Sequence, residues 1–250
     1  MHSSIDVVLK AEPLAHFLGL PITNSLLMTW LVMALLIGFA VLFRRRLALV
    51  PGKLQAGVEG AFQFALDYMA EVLGSEKLAK KFFPLIATIF IFVALANVLE
   101  FVPGIGHSIG LHSDHGLIPF LRAPAADLNF TLALAMISFF VIEITGIATL
   151  GFFRHMSRYI NFHGGAVGFV VGLIELMSNV GRLISFSFRL FGNIFAGEVM
   201  ILVASFFLPY LLPAPLMAFE MFIGLVQALV FAMLTLFFIK LAIMDPHEAH

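Results

Sequence analysis

Between Ser25 and Phe43 the chain carries no charged residue, and Arg44, Arg45 and Arg46 close the run. As a helix, such a run is long enough to cross the roughly 30 Å hydrocarbon core of a bilayer. Composition extends the point to the whole chain. Of its 250 residues, 61% are hydrophobic and 12% charged, with a mean hydropathy of +1.05. Soluble domains are typically about a quarter charged. A chain this poor in charge cannot cover its surface in water, so its solvent is lipid. The net charge of −1 gives no reason to expect a nucleic-acid partner. Without cysteine, disulfides and thiolate-held metals are excluded. Met1 to Leu20 contains Asp6, Lys10 and Glu12 and lacks a basic region followed by an apolar core. Neither a cleavable signal peptide nor an Arg/Ser-rich transit peptide is therefore expected.

The spacing of apolar runs predicts an all-α integral membrane protein forming a single domain over residues 1–250. Its parts are an outer N-terminal segment (1–24), a first span (25–43), a surface helix (52–81), a second span (82–102), an outer loop (104–127), a third span (128–153), a long tilted helix (166–208) and a long C-terminal helix (216–243). The surface helix is assigned because Lys53, Glu59, Asp67, Glu71, Glu76, Lys77, Lys80 and Lys81 interleave with Phe62, Phe64, Leu66, Met69 and Val72, which suits the membrane interface. The stretch from Ala166 to Leu208 has no proline. As one helix it would be about 64 Å long, roughly twice the hydrocarbon thickness. It either breaks near Gly181 or lies strongly tilted, and one glycine beside Arg182 is little turn chemistry. We therefore expect the last two helices to be strongly tilted or near-horizontal and packed as a hairpin. If the segment from Arg44 to Lys81, Arg154, Arg158 and Lys240 share a side, that side holds ten of the fourteen Lys and Arg residues. The positive-inside rule makes it cytoplasmic, with the C-terminus there and the N-terminus outside.

Ionisable residues inside the apolar helices are what the sequence has to explain. They are Glu143, Glu175, Arg182, Arg189, Glu198 and Glu220, with Asn193 and Gln227 as neutral members. A charge at membrane depth costs from about 3 to more than 10 kcal/mol, so such residues line wet cavities or meet partners. At about 100° per residue, Glu175, Arg182 and Arg189 fall near one stripe and Asn193 neighbours Arg189, whereas Glu198 points to the opposite side about 13 Å further along the axis. Ser178, Gly181, Ser185, Ser187, Gly192, Ala196 and Gly197 crowd the same segment, and small residues admit a close helix or water. Arginine stays protonated in proteins and cannot carry a proton, but it can hold a carboxylate ionised. A half-dry glutamate can bind and release protons near neutral pH. A fixed cation beside proton-carrying carboxylates describes a proton pathway with an electrostatic gate.

The run Arg189-Leu190-Phe191-Gly192-Asn193-Ile194-Phe195-Ala196-Gly197-Glu198 resembles the signature of subunit a of the F-type ATP synthase. Glu175, Ser178, Arg182 and Ser185 extend the likeness upstream. Gln227-Ala228-Leu229-Val230-Phe231 and the approach to the third span, Pro124 to Asn129, extend it elsewhere. The resemblance implies a non-catalytic stator against which a ring of carboxylate-bearing c subunits turns, coupling proton flow to ATP synthesis. It also implies peripheral-stalk b subunits and the remainder of the ATP synthase as partners, and the bacterial inner (plasma) membrane as the location. By this resemblance Arg189 faces the ring carboxylate. Asn193, Glu198, Glu220 and Gln227 line the outer half-channel, while Glu175, Ser178 and Ser185 line the cytoplasmic one. At the Glu220 position some members carry histidine; here Glu198 and Glu220 are both glutamate and are expected to share a proton, since close carboxylates resist double ionisation.

Other residues keep two readings. Arg182 is either a pathway residue or a structural, headgroup-facing one. Glu143 is either an outlying channel residue or a partner for a neighbouring helix. Asp127 and Asn129 either cap the third span or line the channel. His107, His112, Asp114 and His115 resemble a metal cluster in residue type only, and we expect neither metal nor cofactor. No phosphate loop is present, so nucleotide chemistry falls to partner subunits. The rival function is a proton-coupled secondary transporter, a class that usually shows internal repeats and more spans.

Overall fold

The computed structural model describes residues 13–17, 20–102, 110–113, 116–119, 121–157, 159, 165–209 and 211–244. Its helices are α1 (Asn24–Arg45), α2 (Lys53–Leu73), α3 (Glu76–Glu100), α4 (Leu128–Leu150), α5 (Phe152–Met156), α6 (Gly165–Phe207) and α7 (Pro213–Ile243). Five of these, all but α2 and α5, are long and apolar enough to cross a membrane.

Local chemistry accounts for the helix ends. Thr23 caps α1 by accepting from the Leu26 amide at 3.3 Å, and Arg44 and Arg45 sit in its last turn, where the helix dipole favours cations. The charged segment expected as one surface helix over 52–81 is divided. Gly74 adopts a left-handed φ of 70° that ends α2, and Ser75 caps a new helix at the Leu78 amide. Glu76 to Lys81 therefore form the first turns of α3. Gly74 meets the αL requirement of a helix stop, and the serine after it is a common cap; this pair outweighs the continuity of the charge pattern.

The segment from Gly165 to Phe207 is one helix of 43 residues, continuous through Gly181. At about 1.5 Å per residue it is roughly twice as long as a bilayer core is thick, so it cannot stand perpendicular in a membrane. Helix α7 runs antiparallel beside α6, with Glu220 against Gly197 and Phe238 against Phe186, and Pro213 lies in its first turn, where a missing amide costs nothing.

Two short antiparallel hairpins are absent from the sequence reading. β1 (Pro13–Phe17) pairs with β2 (Leu20–Thr23), and β3 (Gly110–Ser113) with β4 (Gly116–Pro119), the second inside the segment expected as a loop. Of the histidine-rich segment, His107, Asp114 and His115 lie outside the described residues, and His112 is described in its backbone alone. So do residues 1–12 of the expected N-terminal segment.

Helices α3 and α7 form the centre. One cluster joins Ile89 and Val93 of α3 with Ala228 and Phe231 of α7 and Phe186, Leu190 and Ile194 of α6. A second joins Met69 and Leu73 of α2 with Phe82 and Ile86 of α3 and Leu236 and Ile239 of α7. Asn97 donates to the Gly224 carbonyl at 3.0 Å, and a Cβ on Gly224 would lie 2.9 Å from that of Asn97; the glycine lets α3 and α7 touch. The outer faces carry exposed Ile37, Phe39, Phe140, Ile144, Phe219 and Phe222, the surface of a protein solvated by lipid.

Candidate functional site

Three groups of polar side chains lie along α6. At its far end the Glu198 side chain is largely buried and is gripped by Arg122, which donates from Nη2 to Oε2 at 2.7 Å and from Nε to Oε1 at 3.2 Å. Burial opposes the Arg122 charge, but the hydrogen bond and charge of Glu198, with Glu100 and Asp127 nearby, outweigh it and hold the guanidinium above its ordinary value. Glu100, in the last turn of α3, is 4% exposed. Neither of its oxygens has a hydrogen-bond partner among the described residues, and Glu198, Arg122 and Glu220 are its ionisable neighbours. Glu220 of α7 is also buried, with Oε2 unpartnered among the described residues, and lies against Gly197, where a Cβ would fall 2.3 Å from its Cδ. Glu198, Glu100 and Asp127 thus gather around one guanidinium, and Glu220 adjoins this group beside Glu100. Both Glu198 oxygens accept from Arg122, because the 121–123 segment folds into the bundle beside α6.

Midway along α6, Asn193 donates to Gln227 Oε1 at 3.5 Å. Arg189 is exposed and donates to Ser185 at 3.4 Å. No carboxylate pairs with Arg189 among the described residues, whereas Arg182 lies 3.6 Å from Glu175 and stacks its guanidinium 4.9 Å over the Phe238 ring. Ser178 is exposed.

Toward the start of α6, Glu143 of α4 accepts from Tyr159 at 2.9 Å and 3.1 Å and from Asn179 at 3.4 Å, and its Oε2 lies 2.8 Å from His155 Nε2. Asn179 also donates to the Tyr159 hydroxyl. A narrow cleft runs from Glu143 past Asn179 to Arg182, Leu183 and Phe186. Asp127 caps α4 at the Asn129 amide and accepts from Ser25 of α1 at 2.8 Å.

Sequence reasoning missed Glu100, Arg122, His155, Tyr159 and Asn179. Glu100 was only faintly legible: an acid in the last turn of an apolar span can reach the interface and so is a weaker signal than one in its middle. The other four lie in connecting segments or look like ordinary polar residues, and only the fold aims them.

Apolar helices that face lipid and gather ionisable groups from four of their number beside one 43-residue member define a polytopic ion-conducting membrane protein. A family profile described as ATP synthase A chain matches residues 26–240. Among similar proteins is "ATP synthase subunit a, sodium ion specific" of Propionigenium modestum, 35% identical over 96% of this chain and 81% of its own length. "ATP synthase subunit a" of Moorella thermoacetica is 30% identical over 90% of this chain and 92% of its own length. That of Desulforamulus reducens is 35% identical over 90% and 81%. The chain belongs to the ATP synthase subunit a family.

Proposed function

We propose that the chain is the ion-conducting stator of a rotary ATP synthase, carrying protons past a ring of c subunits, with nucleotide chemistry on other subunits. The observation that carries this is Arg189. A permanent charge at membrane depth needs a counter-charge, and among the described residues this chain supplies carboxylates to Arg122 and Arg182 but none to Arg189. Its exposed position on α6 leaves it open to a carboxylate arriving from another molecule.

The Arg- and Lys-rich end is cytoplasmic, including the C-terminus, and the N-terminus lies outside, in a bacterial inner membrane; peripheral-stalk b subunits hold the chain still. A proton enters from the outer side among Glu100, Glu198 and Glu220, passes the Asn193 and Gln227 region, and neutralises a ring carboxylate. The neutral site turns into lipid at little electrostatic cost. On return it loses its proton toward Ser185, Ser178 and Glu175, and Arg189 stabilises the anion left behind. The positive charge of Arg189 also repels protons, which blocks a direct leak between the two polar zones.

The test is Arg189→Ala in membranes holding the whole synthase. ATP synthesis driven by a proton gradient should vanish while ATP hydrolysis by the soluble sector persists; retained synthesis would defeat the reading. Arg189→Lys should fail as well, since a desolvated lysine can deprotonate and lacks the planar fork.

The sodium-specific relative supports sodium as a second coupling ion. Proteoliposomes given a sodium gradient at equal pH should make no ATP if protons are the cargo. A chain purified without partners that moved a solute would favour a secondary transporter.

A further inference from the structure

The cluster around Glu143 is more elaborate than a helix tether requires, and none of its members lies on the Arg189 stripe. We propose that Glu143 and His155 form a proton-collecting station at the mouth of the cytoplasmic half-channel, with Tyr159 and Asn179 as positioning residues. The inference deepens the stator reading and rests on it.

The backbone is shaped to bring these groups together. Gly151, at φ 85°, ends α4 and starts α5, a conformation that strongly favours glycine. The turn lays His155 back under Glu143, twelve residues earlier. Gly146 supplies the room, since a Cβ there would lie 2.5 Å from His155 Cε1 and 2.8 Å from Nδ1. The ring is 1% exposed. With Nε2 committed to Glu143, Nδ1 has no hydrogen-bond partner among the described residues. A buried polar atom without a partner is costly, and a packing histidine has no need of that cost.

The charged neighbours come from every side. Helix α6 presents Arg182 on the wall of the cleft, with Glu175 paired to it. Helix α7 presents Phe238, and its Lys240 turns away to the Leu73 carbonyl. Arg154, next to the ring in sequence, is exposed. The cleft therefore connects the Glu175–Arg182 pair to Glu143. The pair shares one proton between Glu143 Oε2 and His155 Nε2, 2.8 Å apart. It takes up one further proton, on the carboxylate or at Nδ1, and returns it to water; only O–H and N–H bonds form and break. Imidazole is the side chain that ordinarily exchanges protons near neutral pH, and the phenol and amide keep the carboxylate aimed.

The experiment uses membranes carrying the complete membrane sector with the soluble sector stripped off, and reads passive proton conduction against pH on the cytoplasmic face. His155→Gln can still donate to Glu143 but cannot hold an extra proton; Glu143→Gln removes the carboxylate. Both should assemble with the ring, lower conduction roughly threefold to tenfold, and flatten its pH profile between about 6 and 8. Tyr159→Phe should leave the profile's shape intact. Wild-type conduction and profile in His155→Gln would overturn the proposal, as would failure of both variants to assemble, which would mark the cluster as structural. Loss of coupling in Arg189→Ala beside an unaffected His155→Gln would leave the stator reading standing and remove the station alone.

Discussion

Arg122 and Glu198, 76 residues apart in the chain, meet in a two-bonded ion pair whose side chains are 8% and 10% exposed. A buried pair of this kind costs desolvation to form and is weak support for stability, but removing one partner strands the other charge. Arg122→Leu alone should destabilise the fold by about 3–5 kcal/mol and lower the amount of assembled complex in membranes. The double variant Arg122→Leu, Glu198→Leu should recover assembly while ATP synthesis stays lost. Recovery of both would show that the pair serves packing only.

The same pair sets a pH expectation. Arg122 is held above its ordinary value, so its charge contributes fully below that value and is lost only as pH rises through the higher folded one, far above physiological conditions. ATP-driven pumping should therefore show no Arg122-dependent decline on moving from neutral to alkaline pH. In Arg122→Lys a buried ammonium gives up its proton more readily, and pumping should fall across the same range. Parallel pH profiles for the two proteins would contradict this.

Gly197 leaves the space that Glu220 fills. In Gly197→Ala the new methyl would stand 2.3 Å from the Glu220 carboxyl, the free end of a flexible side chain, so the overlap is relieved by moving that carboxyl from its buried position. The variant should assemble poorly or lose most of its ATP-driven acidification of inverted vesicles. Gly38→Ala on α1, which meets nothing within 4 Å, is the control and should match the parent.

Lys240 of α7 donates to the Leu73 carbonyl at 3.0 Å, at the point where Gly74 ends α2. It satisfies an otherwise orphaned helix carbonyl with a cation. Lys240→Met should loosen the last turn of α2 by about 1 kcal/mol, seen as faster amide hydrogen exchange around Val72 and Leu73. Unchanged exchange there would mean that the apolar contacts of Met69 and Leu73 hold the helix unaided.

Length and periodicity made the membrane helices legible, because a lipid solvent tolerates one solution for backbone polar groups and demands apolar side chains along it. The unbroken α6 was legible for the same reason: a lone glycine lacks the chemistry to stop a helix. The break at Gly74 was also written in the chain, in a glycine followed by a serine cap, but the run of charges across it obscured the signal.

The Arg189 stripe and the opposed Glu198 could be read from the sequence because helix geometry is local: 3.6 residues per turn fixes which side chains share a face. Which carboxylate meets which cation could not be read there. Glu198 found Arg122, and Glu143 gathered His155, Tyr159 and Asn179 from three segments. Pairing inside a membrane protein depends on how helices pack and where the connecting segments fold back. That is decided by contacts between residues distant in sequence, for which a single chain carries no periodic signal.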